Sequence, residues 1–136
     1  MQRLILDTDV ASLSIKGQLP PVLVRELINA QVGITFVTLG ELTRWATMRQ
    51  WGAGRRDELA AWLATRPTLP YSDDVARRWG DISARAARRG RPRPHNDTWV
   101  AACCLVYDLP LATLNVKDFK DFKDFEEHEG LILIGR

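Results

Sequence analysis

Several things are scarce in this sequence, and each scarcity excludes a class of protein. Its 136 residues hold only two cysteines and two histidines. Cys103 and Cys104 are adjacent, so there is no disulfide framework and no CxxC or Cys/His zinc spacing. Neighbours on a helix point about 100° apart, so both thiols read as reduced core residues, and a cytoplasmic location is expected. No apolar run approaches the roughly 20 residues of a membrane span, and the apolar stretch in MQRLILD is too short for export. Excess charge is small too, with a net charge of +2 and a pI near 8.7. Any attraction to a polyanion must therefore come from how the charge is arranged.

What remains is the composition of an ordinary globular protein, 46% hydrophobic and 26% charged, and a length that lets residues 1–136 bury one core as a single domain. Positive charge collects in RRWGDISARAARRGRPR, residues 77–93, with Asp81 as its one acid. Most of the balancing acidic excess lies at residues 118–129, which overlap the brief repeat KDFKDFKDF.

Hydrophobic patterning predicts alternating strands and helices. Leu4 to Leu6 is a short apolar run ending at Asp7, and Val32 to Val37 is a second that runs into Thr38. Between them Pro20 and Pro21 open a helix carrying Val22, Leu23, Leu27 and Ile28. Leu39 to Trp51 and Asp57 to Ala64 read as a helical pair separated by Gly52 and Gly54. An extended piece at Thr68 to Tyr71 leads through Ser72 and Asp73 into a helix from Asp74 to Arg89, stopped by Gly90. Each proline of Arg91-Pro92-Arg93-Pro94 pushes its predecessor out of the α region, which makes an extended loop. Asp97 to Tyr107, apolar nearly all round, reads as a buried helix with Asn96 and Asp97 at its start. Leu111 to Leu114 and Leu131 to Ile134 are the last strands. The expected fold class is α/β, a three-layer α/β/α sandwich around a mostly parallel sheet of four to five strands.

In such sheets ligands bind outside the carboxyl ends of the strands. Asp7 and Asp9 follow the first predicted strand, Thr38 and Glu41 the second, and Asn115 and Asp118 the fourth, while Asp97 opens the buried helix. Each has a structural reading as well: Thr38-Leu39-Gly40-Glu41 matches a capping box, and acids suit helix N-termini. Capping does not account for an acid at one edge of the sheet after three different strands. Carboxylates a few ångströms apart stay ionised only with a positive charge between them. Mg²⁺ takes oxygen ligands, keeps several waters and accepts one or two carboxylates together with substrate phosphate oxygens. Asp7 and Asp97 are the expected direct ligands, with Glu41 and Asp118 acting through water or orienting the nucleophile. Thr8, Asp9 and Asn115 are accessory candidates.

The order LILDTD, TLGEL, HNDTWVAA, LATLNVKDF resembles the PIN-domain ribonucleases, specifically the VapC-type toxins, from the first residues to about Phe119. The resemblance implies an α/β/α fold, a homodimer, Mg²⁺ or Mn²⁺ at the acidic cluster, endonuclease action on RNA, and inhibition by a VapB-type antitoxin. It places Asp7, Glu41 and Asp97 on the family's three acids. Asp9 stands where many relatives carry Asn or Ser, and the fourth polar position falls to Asn115 or Asp118. The implied chemistry is in-line attack on a phosphodiester by a water that the cation activates.

RNA binding calls for cations and flat side chains. Arg89, Arg91 and Arg93, just ahead of Asp97, are the expected phosphate contacts. Trp45, Trp51 and Trp62 sit in apolar helical positions, as core or as the lining of a groove for a partner helix. Two alternatives compete with the nuclease. Asp7-Thr8-Asp9-Val10 resembles the opening of haloacid-dehalogenase-type phosphatases, although Ala11 stands where those enzymes carry a hydroxyl or β-branched residue. A non-catalytic α/β module that only binds a partner is the other.

Overall fold

A computed structural model describes residues 2–117, 119 and 133–135. Among them, strands β1 (Gln2–Leu6), β2 (Ala30–Thr35), β3 (Thr68–Leu69), β4 (Leu111–Thr113) and β5 (Leu133–Gly135) form one sheet in the order β3-β2-β1-β4-β5. All four pairings are parallel. Helices α1 (Thr8–Ile15), α2 (Pro21–Leu27), α3 (Phe36–Met48), α4 (Ala53–Ala64), α5 (Asp73–Arg88) and α6 (His95–Tyr107) fill the connections. The expected α/β/α architecture is what the chain adopts.

The chain leaves β1 toward β2 and β3 on one side, then returns to place β4 and β5 on the other. Right-handed crossovers running in opposite directions deposit their helices on opposite faces. Accordingly Leu6, Ile34 and Ala112 pack against Val10, Leu23, Leu42 and Trp62 from α1 to α4, while Ile5 and Leu111 pack against Val75, Ile82 and Val100 from α5 and α6. Successive strand side chains face opposite ways, so Leu4, Ile5 and Leu6, all buried, serve both layers. That is why the carboxyl half of β1, the central strand, reads as an unbroken apolar run. The direction of chain travel reverses between β1 and β4, and at such a switch point the two crossovers diverge and leave a crevice at the carboxyl ends.

The strands and helices depart from expectation in four places. First, β2 ends at Thr35, and Phe36 and Val37 are already helical. The Thr35 side chain accepts from the Thr38 N–H (3.3 Å), so Thr35 is the N-cap and no capping box starts at Thr38. A cap outweighs the β-propensity of Phe-Val-Thr because the neighbouring β3 offers only two residues to pair with. Second, α1 was not anticipated, and two helices rather than one join β1 to β2. Third, Gly52 is the N-cap of α4 and Gly54 lies inside it. Fourth, α6 starts at His95 behind Pro94, which puts Asn96 and Asp97 in its first turn rather than at its cap. Cys103 and Cys104 are buried and free, and burial pushes the Cys103 thiol up to about 12 and Cys104 upward as well. These are inert core thiols.

Candidate metal centre at the carboxyl ends of the strands

Asp7 is the first residue past β1 and the N-cap of α1, where its Oδ1 accepts from the Val10 N–H (2.8 Å). Its Oδ2 accepts from the Thr113 hydroxyl at the end of β4, across the switch point. Leu6 pairs with Ala112, so Asp7 and Thr113 are next in register. The carboxyl is 5% exposed. Burial is the main cause that raises its pKa to about 6, with the nearby charges of Asp9 and Asp97 adding to it and the two hydrogen bonds opposing it.

Asp7, Thr8, Asp9, Glu41, Trp45, Asp97, Val100, Asn115 and Phe119 line one cavity of about 90 Å³. The three acids expected to gather there, from three separate stretches of sequence, therefore open on the same space. Glu41 Oε1 accepts from the Thr8 hydroxyl (2.7 Å), and the Thr8 and Thr38 hydroxyl oxygens are 3.0 Å apart. A hydroxyl has one proton. With Thr8 donating to Glu41, Thr38 is the donor to Thr8, and the chain Thr38–Thr8–Glu41 fixes the half-buried carboxylate. Asp9, exposed, accepts from the Asn115 amide (3.0 Å), and the Asn115 N–H in turn donates to Thr113 Oγ1 (2.9 Å). Asp118 lies outside the described residues.

Four carboxylates and no basic side chain line the cavity among the described residues. Like charges pressed together in a partly buried space favour a bound cation, and all-oxygen donors suit a hard one. No group of three or more His, Cys, Asp or Glu side chains stands arranged as a ligand cage among the described residues. The donor set fits a hard divalent cation held by carboxylate oxygens.

The arginines sit apart from this cavity. Arg89 is the C-cap of α5, Arg91 is exposed in the following loop, and Arg93 is half-buried in it; none of the three lines the cavity. Trp51 and Trp62 are core residues, each 8% exposed, which removes them from any open groove. A second cavity, about 450 Å³, lies at the opposite rim between Arg3, Gln31, Gly33, Arg66 and Leu109, and no carboxylate lines it.

The PIN domain family model matches residues 4–124. The chain belongs to the PIN-domain family. Among curated proteins it is 30% identical over 122 residues to the tRNA(fMet)-specific endonuclease VapC of Shigella flexneri, covering 88% of this chain and 91% of that one. Among solved structures it is similar to VapBC-5 of Mycobacterium tuberculosis, a member of the VapBC family of toxin-antitoxin systems, with TM-score 0.72, 27% identity and full coverage of both chains. VapBC2 of Rickettsia felis, solved bound to a DNA fragment from its promoter, superposes with TM-score 0.82 at 19% identity and 99% coverage of both. A PIN-domain match over most of the chain displaces the phosphatase reading. Within this PIN domain, sequence reasoning missed Thr113 and did not see Thr38 as a hydroxyl donor. A threonine ending a strand beside an acid-ending strand is the signal for the first, but it becomes visible only once β4 is known to neighbour β1.

Proposed function

We propose that this single PIN-type domain, taken over residues 1–136, is a metal-dependent endoribonuclease and the toxin of a VapBC-type pair. The observation that carries the reading is a cavity at the switch point of a parallel sheet, lined by Asp7, Asp9, Glu41 and Asp97 without a basic neighbour. Asp7 and Asp97 would hold a divalent cation directly, Mg²⁺ first and Mn²⁺ as a substitute, and Glu41 would act through water. The cation, when bound, supplies charge to the phosphate oxygens and lowers the pKa of water beside it.

The chain's own residues do the rest. Thr113 and the Val10 N–H hold Asp7 in one orientation, and the Thr38–Thr8 pair holds Glu41. Glu41, half-buried, would orient the attacking water and accept its proton. Asn115 keeps Asp9 turned toward the β4 end, and Asp118 remains a candidate for the fourth polar position. Arg89, Arg91 and Arg93 would guide the RNA backbone toward α6. The substrate is RNA, with a tRNA the first to try given the Shigella relative's name. The partners are a cognate VapB-type antitoxin and a second copy of the chain, and the location is cytoplasmic. No helix of the described residues is long and apolar enough to cross a membrane.

The test is cleavage of RNA by protein purified free of its antitoxin, with Mg²⁺, with Mn²⁺ and with EDTA. Cutting that needs the metal and is lost in Asp97→Asn supports the reading. Cutting that persists in EDTA, or in Asp97→Asn, ends it.

A further inference from the structure

The acidic cavity is small, about 90 Å³, and opens to solvent. If the site cuts RNA, as proposed above, side chains at its rim are the ones that meet the bases flanking the cut. Two aromatic residues line the cavity. Phe119 is 2% exposed and belongs to the core beneath, whereas Trp45 is half-buried. The guanidinium of Arg49 lies over one face of the Trp45 ring, 5.1 Å from its centroid, which leaves the other face for a base.

Two similar pairs show what is particular here. Arg55 covers Trp51 at 4.7 Å and Arg66 covers Trp62 at 4.4 Å, but those indoles are 8% exposed and pack in the core. They close a surface. The Trp45 indole instead borders the acidic cavity, and Arg49 is exposed. Among the described residues no carboxylate pairs with Arg49. Glu41, Trp45 and Arg49 follow one another at four-residue spacing along α3 and its C-cap, on neighbouring positions of one face with steps of roughly 6 Å. A carboxylate at the cavity, then a flat ring, then a cation is the order a single strand would meet on leaving a cleavage site. Single-stranded nucleic acids are held in this way, bases on aromatic faces and phosphates on cations.

We infer that Trp45 and Arg49 form the subsite for the nucleotide beside the cut, the indole carrying its base and the guanidinium its phosphate. They are specificity and positioning residues of the same reaction, and they act on RNA affinity rather than on the chemical step.

The experiment measures binding of a fluorescent ten-nucleotide single-stranded RNA by anisotropy in EDTA, and its cleavage kinetics in Mg²⁺. Wild type, Arg49→Ala, Trp45→Leu and Trp45→Phe are compared. Arg49→Ala and Trp45→Leu each weaken binding about tenfold and raise KM in proportion, with kcat within about twofold; Trp45→Phe keeps most of the affinity. Arg49→Ala also flattens the salt dependence of binding by about 0.7 in log–log slope. Trp45→Leu removes packing, so the exposed Arg49 decides if that variant melts early. Wild type that cuts RNA while Arg49→Ala binds and cuts like it overturns this inference alone. A fall in kcat at unchanged KM overturns it too, since it shows disturbance of Glu41. Wild type that binds but never cuts refutes the nuclease reading, with the anisotropy still deciding the subsite; wild type that neither binds nor cuts sinks both.

Discussion

The two rims of the sheet carry cavities of opposite character. At the amino ends of the strands the space is about 450 Å³ and contains Arg3 and Arg66 with no acid; at the carboxyl ends it is about 90 Å³ and contains four acids with no base. The larger one is structurally occupied with its own needs. Arg66 donates to the Trp62 carbonyl (3.0 Å) and the Thr65 hydroxyl (3.1 Å), and its guanidinium covers the Trp62 ring. The smaller one spends folding energy instead, because Asp7 is buried among like charges. Chemistry follows the topology here rather than the volume: strand direction decides which rim gathers residues from separate crossovers.

The sharpest way to break that comparison is to exchange losses between rims. Asp7→Asn or Asp97→Asn should lower the RNA cleavage rate by at least about a hundredfold, beyond what support residues around metals typically contribute. Arg3→Ala and Arg66→Ala should leave it within about twofold, and Arg66→Ala should reduce stability by about 1 kcal/mol through its lost carbonyl and ring contacts. Initial rates on one RNA in Mg²⁺, with a thermal melt of each protein, give the answer. Activity that collapses with the arginines and survives without the acids would reverse the assignment of the rims.

The next effect concerns the cost of the acidic rim in metal-free protein. With Asp7 near 6 when folded and near 3.8 as its ordinary value, the folded state binds the proton more tightly than the unfolded one. Stability therefore falls as pH rises from about 4 through 6 and is flat above. Asp7→Asn removes that penalty. In EDTA the variant should gain about 3 kcal/mol over wild type at pH 7, and this gain should vanish near pH 4. Urea melts at both pH values check it. A variant less stable at pH 7, or one whose gain does not depend on pH, would show that the carboxyl is not strained by its surroundings.

How far this contrast was legible in sequence depended on whether a residue's role is local. Asp7 announced itself because a three-residue apolar run stops on an acid, and Ser72 was visible as a cap, its side chain accepting from the Val75 N–H. Helix α1 was not visible. Its buried side is Thr8, Val10, Ala11 and Ser12, half polar, and only Thr38 and the Glu41 carboxylate, 30 and 33 residues away, give Thr8 a reason to be inside. The start of α3 was misplaced for a similar reason, since nothing local says that β3 is too short to keep Phe36 in a strand. Thr113 was missed because sequence does not state that β4 lies beside β1. Glu41 and Asp97 were read from their position and their resemblance, yet their common cavity is a property of the fold.

Thr113 offers a gentler test. Thr113→Val keeps the shape and removes both the donor to Asp7 and the acceptor for the Asn115 N–H. Residues that orient ligands typically contribute 10–100-fold, so cleavage should fall about tenfold, and a higher Mg²⁺ concentration should restore part of it. Loss of activity that no Mg²⁺ concentration relieves would mean Thr113 serves the fold and not Asp7.

The smallest expected effect lies outside both cavities, on the arginines before α6. Arg91 and Arg93 do not line the acidic cavity, but they lead into the helix that carries Asp97, and RNA reaching the acids must cross a region of negative potential. Their contribution should then be electrostatic and independent of sequence. Arg91→Ala combined with Arg93→Ala should weaken RNA binding about threefold near 0.15 M salt, and more below it, flattening the log–log salt slope by about 1.4 for two phosphate contacts. Mg²⁺ binding, read separately by its effect on the melting temperature, should not change. An unaltered salt slope would assign the arginine loop to some other face of the molecule and leave Arg49 as the cation nearest the proposed RNA path.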